Sequence, residues 1–152
     1  MKTSAPSPDV HRAIGQLQRL AELFGTRRAQ LARGAGLTEQ QWRVLEEIAT
    51  EHFMPSMFAR GRRSTPAAVS RTVRQLLDKR LVSVSVSADD GRHRHYVLTP
   101  KGRRMLAALR ARRRDAIEAV WMHFDAPALA AFTRFSAQLI ERLETYAARS
   151  RS

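Results

Sequence analysis

The chain has no cysteine, so disulfides, thiolate metal sites, cysteine nucleophiles and thiol redox sensing are all excluded. No apolar run approaches the roughly 18–20 residues needed to span a bilayer. The opening MKTSAPSP lacks the hydrophobic core of a signal peptide, so a cytoplasmic address and no membrane partner are expected. Acids are scarce too: 14 stand against 27 basic residues, a formal charge of +13. Lysine is rarer still. Only Lys2, Lys79 and Lys101 are lysines, and every other basic residue is arginine. Such a balance favours nucleic acid or an anionic surface over an acidic protein partner. Arginine suits bidentate contact with phosphate and guanine, although heavy arginine usage also follows from genome composition. Catalysis needs a constellation that is missing: the serines lie in no plausible frame with His and Asp, and no glycine-rich phosphate loop is present. Neither an enzyme nor a cofactor is expected.

What the chain does have is concentrated between Thr65 and Leu98. Thr65 is a good N-cap, and Pro66 suits the first helical position, where a missing N–H costs nothing. Val69, Val73, Leu76, Leu77 and Leu81 follow at three- and four-residue steps, which makes one helix face apolar. Ala67, Ser70, Arg71, Arg74 and Gln75 occupy the other face, small at the start and basic after it. At Val82 the period changes to two. Val82, Val84 and Val86 alternate with Ser83, Ser85 and Ser87, so a strand with one buried face is expected. Ala88-Asp89-Asp90-Gly91 supplies a turn, and Arg92 to Leu98 returns with Tyr96 and Leu98 on one side. A helix with such a face, followed by a basic-tipped hairpin, reads as a recognition helix and wing for duplex DNA. The alternative is an amphipathic helix with a solvated charged face.

The surrounding elements support the first reading. Ser7 and Asp9 start a helix whose stripe of Val10, Ile14, Leu17, Leu20, Phe24 and Leu31 runs to Gly34. Thr38 and Gln41 fit a capping box, opening a helix that buries Trp42, Leu45, Ile48 and Ala49 and ends near His52. Helices at Pro55–Gly61 and Thr65–Arg80 have helix-turn-helix spacing. Seven basic residues lie between Arg60 and Arg80, with Asp78 the only acid among them. Thr99-Pro100 caps a helix of about 24 residues, roughly 36 Å long, carrying Met105, Leu106, Leu109, Ala116, Ile117, Val120, Trp121 and Phe124. Asp125 caps a last helix striped by Leu129, Phe132, Phe135, Leu139, Ile140, Leu143 and Tyr146. These long faces exceed what a small winged unit can cover, so pairing with a second copy is expected. An intramolecular bundle is the alternative.

Several motifs together resemble the MarR family of winged-helix transcriptional regulators. They are Leu37-Thr38, Gln41-Trp42-Arg43-Val44-Leu45, Ser70-Arg71, Asp90-Gly91-Arg92 and Leu98-Thr99-Pro100-Lys101-Gly102, and the similarity covers roughly residues 10–148. The resemblance implies a homodimer whose two winged lobes lie on successive major grooves of a pseudo-palindromic operator. It implies that Asp90 orients Arg92 into the minor groove. It also implies that a small anionic or aromatic effector, bound between arm and lobe, releases DNA.

The expected fold is therefore mainly α with a small β-hairpin wing: a winged helix-turn-helix domain plus a helical dimerisation arm. Residues 1–8 would be a tail, 9–36 and 100–150 the dimerisation region, and 37–99 the DNA-binding lobe. Expected DNA contacts are Arg60, Arg62, Arg63, Thr65, Ala67, Ser70, Arg71, Arg74, Asp90, Arg92 and Arg94. Trp42, His52 and Arg110 are candidate ligand contacts. His93 and His95 share a strand face and could meet a metal with Asp89 or Asp90, but phosphate or solvent is the expected neighbour, so no metal site is assigned. The run Arg110, Arg112, Arg113 and Arg114 is either a solvated face, a flanking phosphate contact or a counter-charge for a ligand. The functional expectation is a dimeric, sequence-specific DNA-binding regulator, in the sense of a repressor. The alternatives are a nonspecific or architectural duplex binder and a protein-interaction adaptor.

Overall fold

The computed structural model describes residues 7–50, 53–61, 64–86 and 94–150. Six helices and one two-stranded antiparallel sheet follow in the order α1 (Pro8–Gly34), α2 (Glu39–Ile48), α3 (Pro55–Gly61), α4 (Pro66–Asp78), β1 (Val82–Val86), β2 (Arg94–Leu98), α5 (Pro100–Trp121) and α6 (Ala126–Arg149). The chain divides into two compact units, residues 1–112 and 113–152, with the division falling inside α5.

In the first unit, α2 packs against α1, α4 and β2, while α4 also packs against α3 and β1. The core they enclose is made by Val44, Leu45 and Ile48 of α2, Val69, Val73 and Leu76 of α4, and Leu106 and Leu109 of α5. Burial on this scale supplies most of the driving force, about 25 cal/mol for each Å² of apolar surface removed from water. Trp42 is buried, as its place on the α2 stripe predicts. Helix α2 ends at Ile48, before His52, and Ala49 is its C-cap.

Local signals set the helix ends. The Thr38 side chain accepts from the Gln41 N–H while Gln41 Oε1 accepts from the Thr38 N–H, both at 3.1 Å, completing the expected capping box. Helix α1 ends in a Schellman turn. Gly36, at φ +70°, donates to Arg33 and Leu37 donates to Ala32, so the last carbonyls are satisfied. Helix α4 ends in the same way, with Arg80 donating to Leu77 and Leu81 to Leu76. Here the left-handed position, φ +56°, is held by Arg80, where glycine would be free of Cβ strain.

The hairpin pairs Val82 with Leu98, Val84 with Tyr96 and Val86 with Arg94. Its buried face is shorter than the Val/Ser alternation predicts. Val82 is buried, but Val84 is 44% exposed. Two strands offer no second layer beyond their base, so Val84 lacks the cover that Val82 has next to Leu81. On the partner strand Tyr96 packs edge-on against Phe53, which packs likewise on Phe58 of α3, with centroid separations of 5.9 and 5.8 Å. That aromatic chain ties the hairpin to α3.

The second unit holds the end of α5 and all of α6. Asp125 caps α6 by accepting from the Ala128 N–H at 2.7 Å. Phe124 falls just beyond α5, in the turn before that cap, and not on the helix as its stripe suggests. No residue of α6 is buried within the chain. Ile140, Leu143 and Tyr146 all lie more than half exposed along it.

Candidate nucleic-acid interface

The exposed side of α4 is built from its N-cap outward. The Thr65 hydroxyl accepts from the Ala68 N–H at 3.1 Å, and Pro66 follows without an N–H to orphan. Val69, Thr72, Val73 and Leu76 point into the core. Thr72 satisfies its hydroxyl by donating to the Ala68 carbonyl at 3.0 Å. That leaves Ala67, Ser70, Arg71 and Arg74 on the solvent side, all exposed. Small residues at the first turn let the backbone approach a groove floor, and the arginines that follow reach about two turns deeper along it.

Electrostatics reinforce the geometry. Among the described residues, Arg60, Arg71, Arg74 and Arg94 engage no acid, whereas Arg12, Arg19, Arg28, Arg43 and Arg110 are each paired with a Glu or Asp. Arg60 sits exposed at the end of α3, and Arg94 opens β2, also exposed. Among the described residues the structure therefore brings Arg60, Thr65, Ala67, Ser70, Arg71 and Arg74 together on the helix-turn-helix, with Arg94 on the adjoining hairpin. Arg62, Arg63, Asp90 and Arg92, like His52, lie outside the described residues. His95 is exposed on β2. Among the described residues no group of three or more His, Asp or Glu could hold a metal ion.

Of the candidate ligand contacts, Trp42 and Arg110 do meet, through a third residue that periodicity did not single out. Glu46 takes Arg110 Nε at 3.2 Å and Arg110 Nη2 at 2.6 Å, and the Trp42 indole N–H donates to its other oxygen at 3.3 Å. The hydrogen bonds that Arg110 donates to Glu46 raise its pKa above the ordinary arginine value, partial burial opposing them and the Glu46 charge adding to them. A charge read from sequence as available to a ligand is thus already neutralised.

Other polar ties also escaped pattern reading, because their partners are distant in sequence. Gln41 Nε2 donates to Gln75 Oε1 at 2.9 Å, joining α2 to α4 across 34 residues. Gln41 is buried, and its two ends serve the capping box and α4 at once. Lys79 Nζ donates to the Gly36 carbonyl at 2.7 Å, and Lys101 Nζ to the Lys79 carbonyl at 3.0 Å. The presence of Gln41 in the capping box was the one signal that could have led to the first of these.

Among the described residues no helix is long and apolar enough to cross a membrane. No curated protein matches the chain in sequence. The model of the MarR family matches residues 35–93, the segment from the end of α1 to the hairpin. Solved structures share the architecture at low identity. A MarR family transcription regulator, SP03579, is 17% identical with a TM-score of 0.82, covering 91% of this chain and 93% of its own. Staphylococcus aureus MarR in complex with salicylate and kanamycin is 16% identical with a TM-score of 0.75, covering 90% and 93%. The S. aureus MepR–DNA complex is 16% identical with a TM-score of 0.69, covering 84% and 94%. The segment that carries α2 to α4 and β1 matches the MarR family, and the chain as a whole has the fold of MarR family transcription regulators.

Proposed function

We propose that the chain is a sequence-specific, DNA-binding transcription regulator that acts in the cytoplasm as a homodimeric repressor on a pseudo-palindromic operator. The observation that carries this reading is the exposed face of α4. Ala67, Ser70, Arg71 and Arg74 stand clear of the core on a helix capped at Thr65, and among the described residues neither arginine pairs with an acid. Ser70, Arg71 and Arg74 read base edges in the major groove. Arg60 and Arg94, with Arg62, Arg63 and Arg92 contributed by the neighbouring sequence, hold the phosphates or the minor groove. The solved MepR–DNA complex, which shares the fold, supports duplex DNA as the partner.

A second copy completes the molecule. Val10, Ile14, Leu20 and Leu23 of α1, Ile117 and Val120 of α5, and Phe132, Phe135, Ile140 and Leu143 of α6 are each about 40–60% exposed. Apolar faces of this length are what an obligate dimer covers. Residues 9–36 and 100–150 form that dimerisation region, and residues 37–99 the DNA-binding lobe. Two recognition helices then meet half-sites about 34 Å apart, one turn of duplex.

Release by a small anionic or aromatic ligand belongs to the same proposal. The S. aureus MarR structure with salicylate and kanamycin supports it. In this chain the buried Trp42 and the half-exposed Arg110 guanidinium meet at Glu46. A ligand carboxylate there has to displace Glu46.

Selection of bound duplexes from a random pool tests the reading. A palindrome with half-sites one turn apart is expected. Equal recovery of all sequences, with affinity lost in moderate salt, makes the chain a nonspecific duplex binder that works by counterion release. No recovery of DNA makes it an adaptor.

A further inference from the structure

Lysine is scarce in this arginine-rich chain, yet both described lysines work at one place, the C-terminal end of the recognition helix. Lys79 closes α4 and reaches back 43 residues to the carbonyl of Gly36, in the Schellman turn that ends α1. Lys101, in the first turn of α5, reaches the carbonyl of Lys79 itself. The next carbonyl, that of Arg80, accepts from Thr99 Oγ1 at 2.7 Å, and the next, that of Leu81, from the Thr99 N–H at 3.0 Å. Three successive carbonyls leaving α4 are thus met by donors from the start of α5.

The chemistry of the two residues fits the task. The last carbonyls of a helix have no partner within it and carry the negative end of its dipole, so a cation there is favourable. An ammonium on a flexible stem is a compact point charge suited to one carbonyl, whereas a guanidinium fork asks for paired acceptors. The strained Arg80 position shows that the turn is held from outside: its left-handed φ is disfavoured for arginine, and neighbouring bonds fix it.

We infer that Lys79 and Lys101 are positioning residues for DNA recognition, a clasp that sets the tilt of α4 against the α1–α2 turn and α5. The inference rests on the DNA-reading role of α4 proposed above. Neither lysine touches a base. Arg71 and Arg74 lie one to two turns upstream of Lys79 on the same helix, so a loosened end lowers the fraction of time they are presented to the groove. Apparent affinity for the specific site falls by that fraction in each subunit. Nonspecific affinity, which follows charge and not orientation, changes only by one charge per lysine.

The test uses the full-length protein with Lys79→Met, Lys101→Met and the matching arginine variants. Binding is measured by fluorescence anisotropy on a selected duplex and on a scrambled duplex of equal length. Amide hydrogen exchange of Gln75 to Leu81 is followed without DNA. Each Met variant is expected to bind the selected duplex about five- to tenfold more weakly, in keeping with one charge-assisted hydrogen bond at an exposed site, with the scrambled duplex changed less than twofold. Exchange at the end of α4 should quicken by a similar factor, and the arginine variants should recover part of both losses. Equal weakening on both duplexes makes the lysines phosphate contacts and overturns the clasp. Unchanged exchange overturns it too, whatever the DNA result. A wild-type protein that does not distinguish the duplexes sinks the DNA-reading role instead, and exchange then reports on the clasp alone.

Discussion

Gly102→Ala is the substitution for which the packing makes the sharpest claim. A Cβ built at Gly102 lies 2.0 Å from the Leu81 carbonyl oxygen and 3.0 Å from the Leu81 carbonyl carbon. Both atoms are backbone, so no side chain can swing aside. Relief needs at least 1 Å of retreat, the gap between 2.0 Å and the 3.0 Å below which real Cβ contacts do not occur. Leu81 is the wrong residue to move. Its side chain is fully buried, its carbonyl accepts from the Thr99 N–H, and its N–H closes the turn that ends α4.

The magnitudes oppose one another. Overpacking of a well-filled site costs about 1–3 kcal/mol. Loss of the Thr99–Leu81 hydrogen bond adds about 0.5–1.5 kcal/mol. Against these, alanine in place of glycine in a helix gains up to about 1 kcal/mol. The clash wins, with a net loss of about 1–3 kcal/mol and a fall in Tm of roughly 3–10 °C for a chain of this size. Gly15→Ala is the control, because a Cβ there meets nothing within 4 Å inside α1. It should gain about 0.5–1 kcal/mol. Paired thermal and urea unfolding at one protein concentration decides the matter. Equal stability of the two variants would falsify the close approach of α5 to Leu81.

Arg74→Ala should weaken binding to the selected duplex by about 1–3 kcal/mol, with a smaller loss on scrambled DNA; equal losses in anisotropy titrations would make Arg74 a phosphate contact. Arg80→Gly should raise stability by about 0.5–1 kcal/mol, since it removes the left-handed strain; a lower urea midpoint would show that the arginine side chain contributes more than its backbone costs. Ile140→Glu with Leu143→Glu should halve the mass seen by light scattering, and an unchanged dimer would place the interface elsewhere. A double-mutant cycle on Glu46→Gln and Arg110→Gln should give a coupling of about 1 kcal/mol or less, because the pair is 30% and 52% exposed and screened by solvent. A coupling of several kcal/mol would contradict that exposure.

Much of the fold was legible because its determinants are local. The Thr38–Gln41 box, the Thr65-Pro66 start, the Asp125 cap and the Gly34–Gly36 stop each lie within four residues of the end they define, and the structure has all of them. Helix α3 occupies Pro55–Gly61 as its flanking proline and glycine predict. The exposed face of α4 was legible for the same reason, since three- and four-residue spacing fixes which side chains share a face. The hairpin was only half legible. Alternation shows which side of a strand a valine takes but not whether anything lies beneath it, and Val84 has too little there to be covered.

Long-range polar ties form the part that no pattern shows. Gln41–Gln75, Lys79–Gly36, Lys101–Lys79 and Glu46–Arg110 join residues 34, 43, 22 and 64 positions apart. Each residue type among them is ordinary on a helix surface, so periodicity assigns it to solvent. Three of the four ties converge on α4, two of them at its C-terminal end and one at Gln75, a turn before it. That distribution has a physical consequence. Apolar packing is non-directional and tolerates small rotations of a helix about its axis, whereas a hydrogen bond weakens steeply with angle. Helix α4 held by Val69, Val73 and Leu76 alone could slide by a fraction of a turn at little cost. With Gln75, the Lys79 ammonium and the Lys79 carbonyl fixed to three other segments, the same rotation breaks directional bonds. The apolar stripe thus decides that α4 is buried on one side, and the polar ties decide the angle at which Arg71 and Arg74 leave the other.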